Sequence, residues 1–79
     1  MMMEHSRNYL RWLKNLSIAN SDITLRYSNY GWRAHISQFE FVLYGASANN
    51  PTDAVNTLYR SREQTIGAIE RDLDSVGML

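Results

Sequence analysis

The sequence predicts one small α+β domain of 79 residues in the order helix, three-stranded antiparallel sheet, helix (α-β-β-β-α), with both helices on one face of the sheet. Three observations carry that prediction. Apolar residues recur with helical period near the N-terminus, short runs between Ile23 and Tyr44 alternate apolar and polar residues, and a capped helical pattern begins at Asn50.

From about Glu4 to Leu16, Tyr9, Trp12, Leu13 and Leu16 fall on one arc of a helix, while Arg7, Arg11 and Lys14 recur on the other side. The helix is amphipathic with a basic back. The segment SIANSD ends it with small polar residues that favour turns. In the first strand Ile23, Leu25 and Tyr27 alternate with Thr24, Arg26 and Ser28. After the turn SNYG, Trp32, Ala34 and Ile36 alternate with Arg33, His35 and Ser37. The third run, FEFVLY, sets Phe39, Phe41 and Leu43 on one face, and the Ser37-Gln38 pair before it is short enough for a tight hairpin.

Asn50 then offers an N-cap. Pro51 occupies the first helical position, where its missing N–H costs nothing, and Asp53 sits in the electropositive first turn. Val55, Leu58, Tyr59, Arg62, Ile66, Ile69 and Leu73 repeat with helical period to about Asp74, with Arg62 the one charged member. Gly67 within that stretch costs about 1 kcal/mol against Ala and suggests a bend or a close contact. Gly77 is the expected stop signal.

Eight basic and eight acidic side chains cancel, which argues against strong non-specific attraction to nucleic acid or anionic lipid. The absence of cysteine removes disulfides, thiol catalysis and thiolate metal sites, and it fits a cytoplasmic protein. No apolar run approaches the roughly 18 residues that span a bilayer. The N-terminal MMMEHSRNYLRWLK also lacks the apolar core of a signal peptide, so no membrane association is expected.

The two histidines stand in no spacing of metal ligands, and neither a Walker A nor a dinucleotide fingerprint occurs. GASAN, Gly45 to Asn49, is one residue short of a nucleophile elbow in a chain too small for the supporting sheet. The expectation is a protein without enzymatic activity, cofactor or metal.

A hairpin turning at Ser37 and Gln38 pairs Ile36 with Phe39, His35 with Glu40, Ala34 with Phe41 and Arg33 with Val42. The first hairpin keeps both aromatics inside only if Tyr27 faces Trp32, which sets Arg26 against Arg33 as an unfavourable like-charge pair. The outer face then carries Arg26, Arg33, His35 and Glu40, with Tyr44 nearby. Two guanidiniums beside an imidazole suit an anionic group such as a phosphate or a partner's carboxylate. The alternative is a solvated face on which Glu40 offsets the cations.

Other surfaces point to partners. A helix from Pro51 to Asp74 is about 35 Å long, whereas strands of six or seven residues reach about 20 to 23 Å. Ile66, Ile69 and Leu73 therefore overhang the sheet and need cover from the first helix or from another chain. The third strand, without Pro, Lys or Gly, is an edge open to a homodimer or partner-strand addition unless a loop or the first helix covers it. Arg62 reads either as an interface anchor or as a side chain paired internally. Glu70, Asp72 and Asp74 form an acidic end opposed to the basic first helix.

The order helix, three strands, helix resembles the topology of the double-stranded RNA-binding domain, and NYGWRAH is similar to that family's strand loop. The family reads RNA with its first helix, that loop and a lysine-rich start of its second helix. NNPTDAVN has no lysine there, so the resemblance covers topology and not the binding motif. A compact, neutral, cysteine-free chain of this size also resembles the counter-defence proteins of bacterial viruses, anti-CRISPR inhibitors included, which act by occupying a surface of a host complex.

The expected function is a non-enzymatic protein–protein interaction module, an anti-CRISPR-like inhibitor occupying a surface of a larger protein or ribonucleoprotein complex. Arg26, Arg33, His35, Glu40, Tyr44 and Arg62 are its expected contact residues. The alternative is a small nucleic-acid-binding module that uses Arg7, Arg11 and Lys14 together with the exposed sheet face.

Overall fold

The structure, a computed structural model, describes residues 2–77. Helix α1 (Met2–Asn15) leads through a short 3-10 turn (Ile18–Asn20) to strands β1 (Thr24–Ser28), β2 (Gly31–Gln38) and β3 (Phe41–Tyr44), and helix α2 (Pro51–Ser75) follows. The strands form one antiparallel sheet in the order β1-β2-β3, which is the predicted α+β arrangement.

Along α1 and just past its end the buried stripe is Leu10, Leu13 and Leu16, flanked by half-buried Tyr9 and Trp12, while Arg7, Arg11 and Lys14 face solvent. The segment after the helix does more than turn. Ile18 is 2% exposed and joins the core, an apolar anchor inside a polar stretch that periodicity does not single out. At the start of α2 the Asn50 side chain accepts from the Asp53 N–H at 2.8 Å, and Pro51 opens the helix. The helix runs unbroken through Gly67, where an added Cβ would meet only Arg71 Nη1 at 3.5 Å, so no close contact explains that glycine. Gly77, at φ +74°, sits just past the helix end as a left-handed stop.

The core gathers Leu13, Leu16, Ile18, Ala34, Ile36, Leu43, Ala54 and Leu58. Helix α2 packs across β2 and β3, and α1 packs against α2. The overhanging end of α2 is thereby covered within the chain: Leu73 is buried, Ile66 and Ile69 are partly so, and Lys14 reaches Glu70 at 2.9 Å. The basic helix and the acidic end are thus joined at one point. Strand β1 lies outside this cover, with all its residues exposed, including Leu25 and Tyr27 on the core side.

The first hairpin has the expected register, with Tyr27 opposite Trp32 and Arg26 opposite Arg33. The second does not. Its turn is Phe39-Glu40, so Ile36 faces Leu43 and His35 faces Tyr44 rather than Glu40. An even slip keeps every side chain on its face, so the alternating pattern does not distinguish the two registers. Tertiary contacts decide. Gln38 stays in the strand, where its Oε1 accepts from Trp12 Nε1 at 3.1 Å, and Phe41 stacks on Trp12 with ring centroids 5.5 Å apart. Phe39, expected inside, is left in the turn 93% exposed with φ 57°.

The β3 edge, which the sequence left either open to another chain or covered from within, receives donors from both helices. Gly45 N–H donates to Ala34 O at 3.0 Å, so alternation along β3 directs the carbonyls of Val42 and Tyr44 away from β2. Tyr9 donates its hydroxyl to Val42 O at 2.7 Å and Ser61 donates to Tyr44 O at 2.6 Å. Each helix supplies one side-chain donor to the edge.

Two glycine exchanges test these backbone assignments. Phe39→Gly is expected to raise stability by up to about 1 kcal/mol by removing left-handed strain from a side chain that packs on nothing, and Gly67→Ala by about 0.5–1 kcal/mol through helix propensity; urea denaturation reads both. Tyr9 supplies a third test. Burial raises its phenol above the ordinary value near 10. The protonated phenol is thus favoured by the fold, a contribution complete below that ordinary value and lost as pH rises through the higher folded one. Tyr9→Phe should cost about 1 kcal/mol at neutral pH and flatten the alkaline fall in stability, measured by denaturation as a function of pH.

Candidate functional site

On the outer face of the sheet the hairpins bring Thr24, His35 and Tyr44 into one row across β1, β2 and β3, with Arg26 opposite Arg33 beside it. Alternation along each strand puts these residues on the face opposite Ala34, Ile36 and Leu43. Arg26, Arg33, His35 and Tyr44 line one recess of about 490 Å³, together with Tyr27 and Ser28. The His35 and Tyr44 rings lean together at 5.4 Å and 44°, forming an aromatic wall to the two guanidiniums.

Among the described residues neither guanidinium is neutralised by a carboxylate. Arg33 donates from Nε to Gly45 O at 3.2 Å, which draws it toward β3 and leaves its terminal nitrogens for other acceptors. Glu40, expected across from His35, is exposed in the β2–β3 turn, so it does not occupy the expected place beside the cations. The recess therefore presents uncompensated positive charge, with planar donor groups suited to a carboxylate or phosphate.

Arg33 and Tyr44 also border a second recess of about 230 Å³ completed by Arg60, Thr57, Ser61 and Gln64 of α2. Arg60 extends the basic surface onto the helix. Its membership depends on how α2 crosses the end of β3, and no spacing in the sequence reports that crossing.

The remaining expected site residues lie elsewhere. Arg62 is half-buried and donates from Nη1 to Leu16 O at 2.8 Å, tying α2 to the end of α1, with Glu63 3.5 Å from its Nε. Arg7 and Arg11 are exposed on α1, whereas Lys14 is engaged with Glu70. Among the described residues no group of three or more His, Cys, Asp or Glu side chains is arranged to hold a metal ion. No helix among them is long and apolar enough to cross a membrane.

The opposed arginines make a measurable prediction. Arg26→Thr should stabilise the protein by about 0.5 kcal/mol at low salt by relieving like-charge repulsion, a gain that shrinks at physiological ionic strength. Inorganic phosphate at constant ionic strength should raise the melting temperature of the parent protein and have less effect on the variant; calorimetric scans check both.

No protein-family model matches the chain, and neither a curated protein nor a solved structure matches it significantly.

Proposed function

We propose that this protein is a non-enzymatic interaction module that docks onto a larger protein through the outer face of its sheet. The observation that carries this reading is the recess where Arg26, Arg33, His35 and Tyr44 converge without a carboxylate to neutralise the cations. Arginine and tyrosine dominate the energetics of protein interfaces, because they combine large contact area with directional hydrogen bonds. Tyr44 is 55% exposed at this face, and Tyr30 is exposed at the tip of the first hairpin.

The partner chemistry that fits is an acidic segment whose carboxylate bridges Arg26 and Arg33 while its flanks pack on Tyr44 and His35. Binding of this kind acts by occupying a surface. That is the mode of the viral counter-defence inhibitors that the chain resembles in size and neutrality, and a cytoplasmic site of action belongs to the same reading.

The test is a pull-down of the tagged protein from a lysate of its natural host, split into nuclease-treated and untreated halves. A defined protein complex should survive nuclease and be lost with the double variant Arg26→Glu/Arg33→Glu. Retention of that complex by the double variant would sink the assignment of the outer face. Binding abolished by nuclease, and weakened by Arg7→Glu/Arg11→Glu, would instead establish the nucleic-acid reading, with the steep salt dependence of phosphate contacts.

A further inference from the structure

We propose that a second copy of this chain adds to the free edge of β1, joining two three-stranded sheets into one six-stranded antiparallel sheet about a two-fold axis at Leu25. The β1 edge adjoins the outer-face recess, with which it shares Arg26, Tyr27 and Ser28, but the inference rests on the backbone edge and on Leu25 rather than on what that recess binds.

Hydrogen-bond accounting identifies the edge. Trp32 exchanges both backbone bonds with Ala48 at 2.8 Å, and Ala34 O accepts from Gly45 N–H, so the even-numbered residues of β2 turn toward β3. Gly31, Arg33 and His35 consequently turn toward β1, where Ser28, Arg26 and Thr24 face them. Alternation then directs the N–H and C=O groups of Leu25 and Tyr27 away from the sheet. The fold caps the opposite edge with Tyr9 and Ser61 but places no comparable donor on β1 among the described residues.

The side chains agree with the backbone. Leu25 and Tyr27 lie on the core side of the sheet yet are 39% and 72% exposed, because α2 covers β2 and β3 instead. Arg26 is the only charged residue of the strand and lies on the outer face, and the strand contains no proline, lysine or bulge to keep its edge from pairing. The chain carries no net charge, so two copies approach without net repulsion.

Charge selects the register. Pairing Arg26 with Arg26 of the second copy would line up four guanidiniums across four adjacent strands, since Arg33 already faces Arg26 within each copy. Centring the axis on Leu25 sets Arg26 opposite Thr24 of the second copy, Leu25 opposite Leu25, and Tyr27 opposite Ile23. That register also engages the outward backbone groups on both sides of Leu25. One strand pair buries less than the about 800 Å² per partner of a standard interface, so the dimer is weak and reversible.

Sedimentation of the whole chain should show a concentration-dependent shift from 9.2 kDa to twice that mass. Leu25→Lys, checked for folding by circular dichroism, should abolish the shift. Because the chain has no cysteine, oxidation of mixed Thr24→Cys and Arg26→Cys proteins should trap a heterodimer more efficiently than Arg26→Cys alone, and this readout does not depend on the lysine variant. A monomer at every concentration, or a dimer that survives a folded Leu25→Lys protein, would overturn the proposal. Preferential self-crosslinking of Arg26→Cys would overturn the register. A purified monomer whose β1 edge is occupied by a host protein counts equally against a second copy.

Discussion

The close seat of α2 on the end of β3 is the constraint from which the other features follow. Gly45 is buried there, and a Cβ at that position would run into Thr57 Oγ1 and lie 3.3 Å from Ala54 O and 3.4 Å from Leu58 N. Ala34 and Ala54 are both fully buried at the same contact. Small residues on both sides let the helix approach the sheet closely enough for Leu58 to reach Ile36 and Leu43, so apolar burial is gained without overpacking. From this seat Ser61 reaches Tyr44 O, Thr57 reaches Ala46 O, and Arg60 comes beside Arg33.

The same geometry explains what is covered and what is not. A helix occupies about 8 to 10 Å and strands lie about 4.8 Å apart, so one helix shields about two strands. Seated on β2 and β3, α2 leaves β1 bare. Helix α1 does not fill that gap because it is needed at the other end, where it covers the overhang of α2. There Arg62 to Leu16 and Lys14 to Glu70 fasten the helices to each other, and the Tyr9, Trp12 and Phe41 rings pack between α1 and β3. The molecule is correspondingly long, 41 × 22 × 20 Å, with its apolar cover concentrated away from β1.

The outer face carries an electrostatic conflict. Arg26 faces Arg33 across the hairpin, and no carboxylate among the described residues relieves them. Opposed like charges cost stability locally, and that conflict is what the proposed docking through this face would account for. Arg62, equally prominent in sequence, is engaged within the chain, donating to the Leu16 carbonyl just past α1.

Local patterns alone determined the order of elements, the Asn50 cap, the Gly77 stop and the Tyr27–Trp32 register, because periodicity, capping and an aromatic pair are carried by residues close in the chain. They also brought Arg26, Arg33 and His35 to one face, since alternation survives any even slip. Tertiary structure decided the turn at Phe39-Glu40, and with it the exchange of Glu40 for Tyr44 beside His35. That choice rests on Trp12 meeting Gln38 and Phe41, partners at least 26 residues away that no local pattern connects. It also decided which edge stays open: β3 is capped by hydroxyls from both helices, and their reach depends on how the helices cross the sheet rather than on any property of the strand itself.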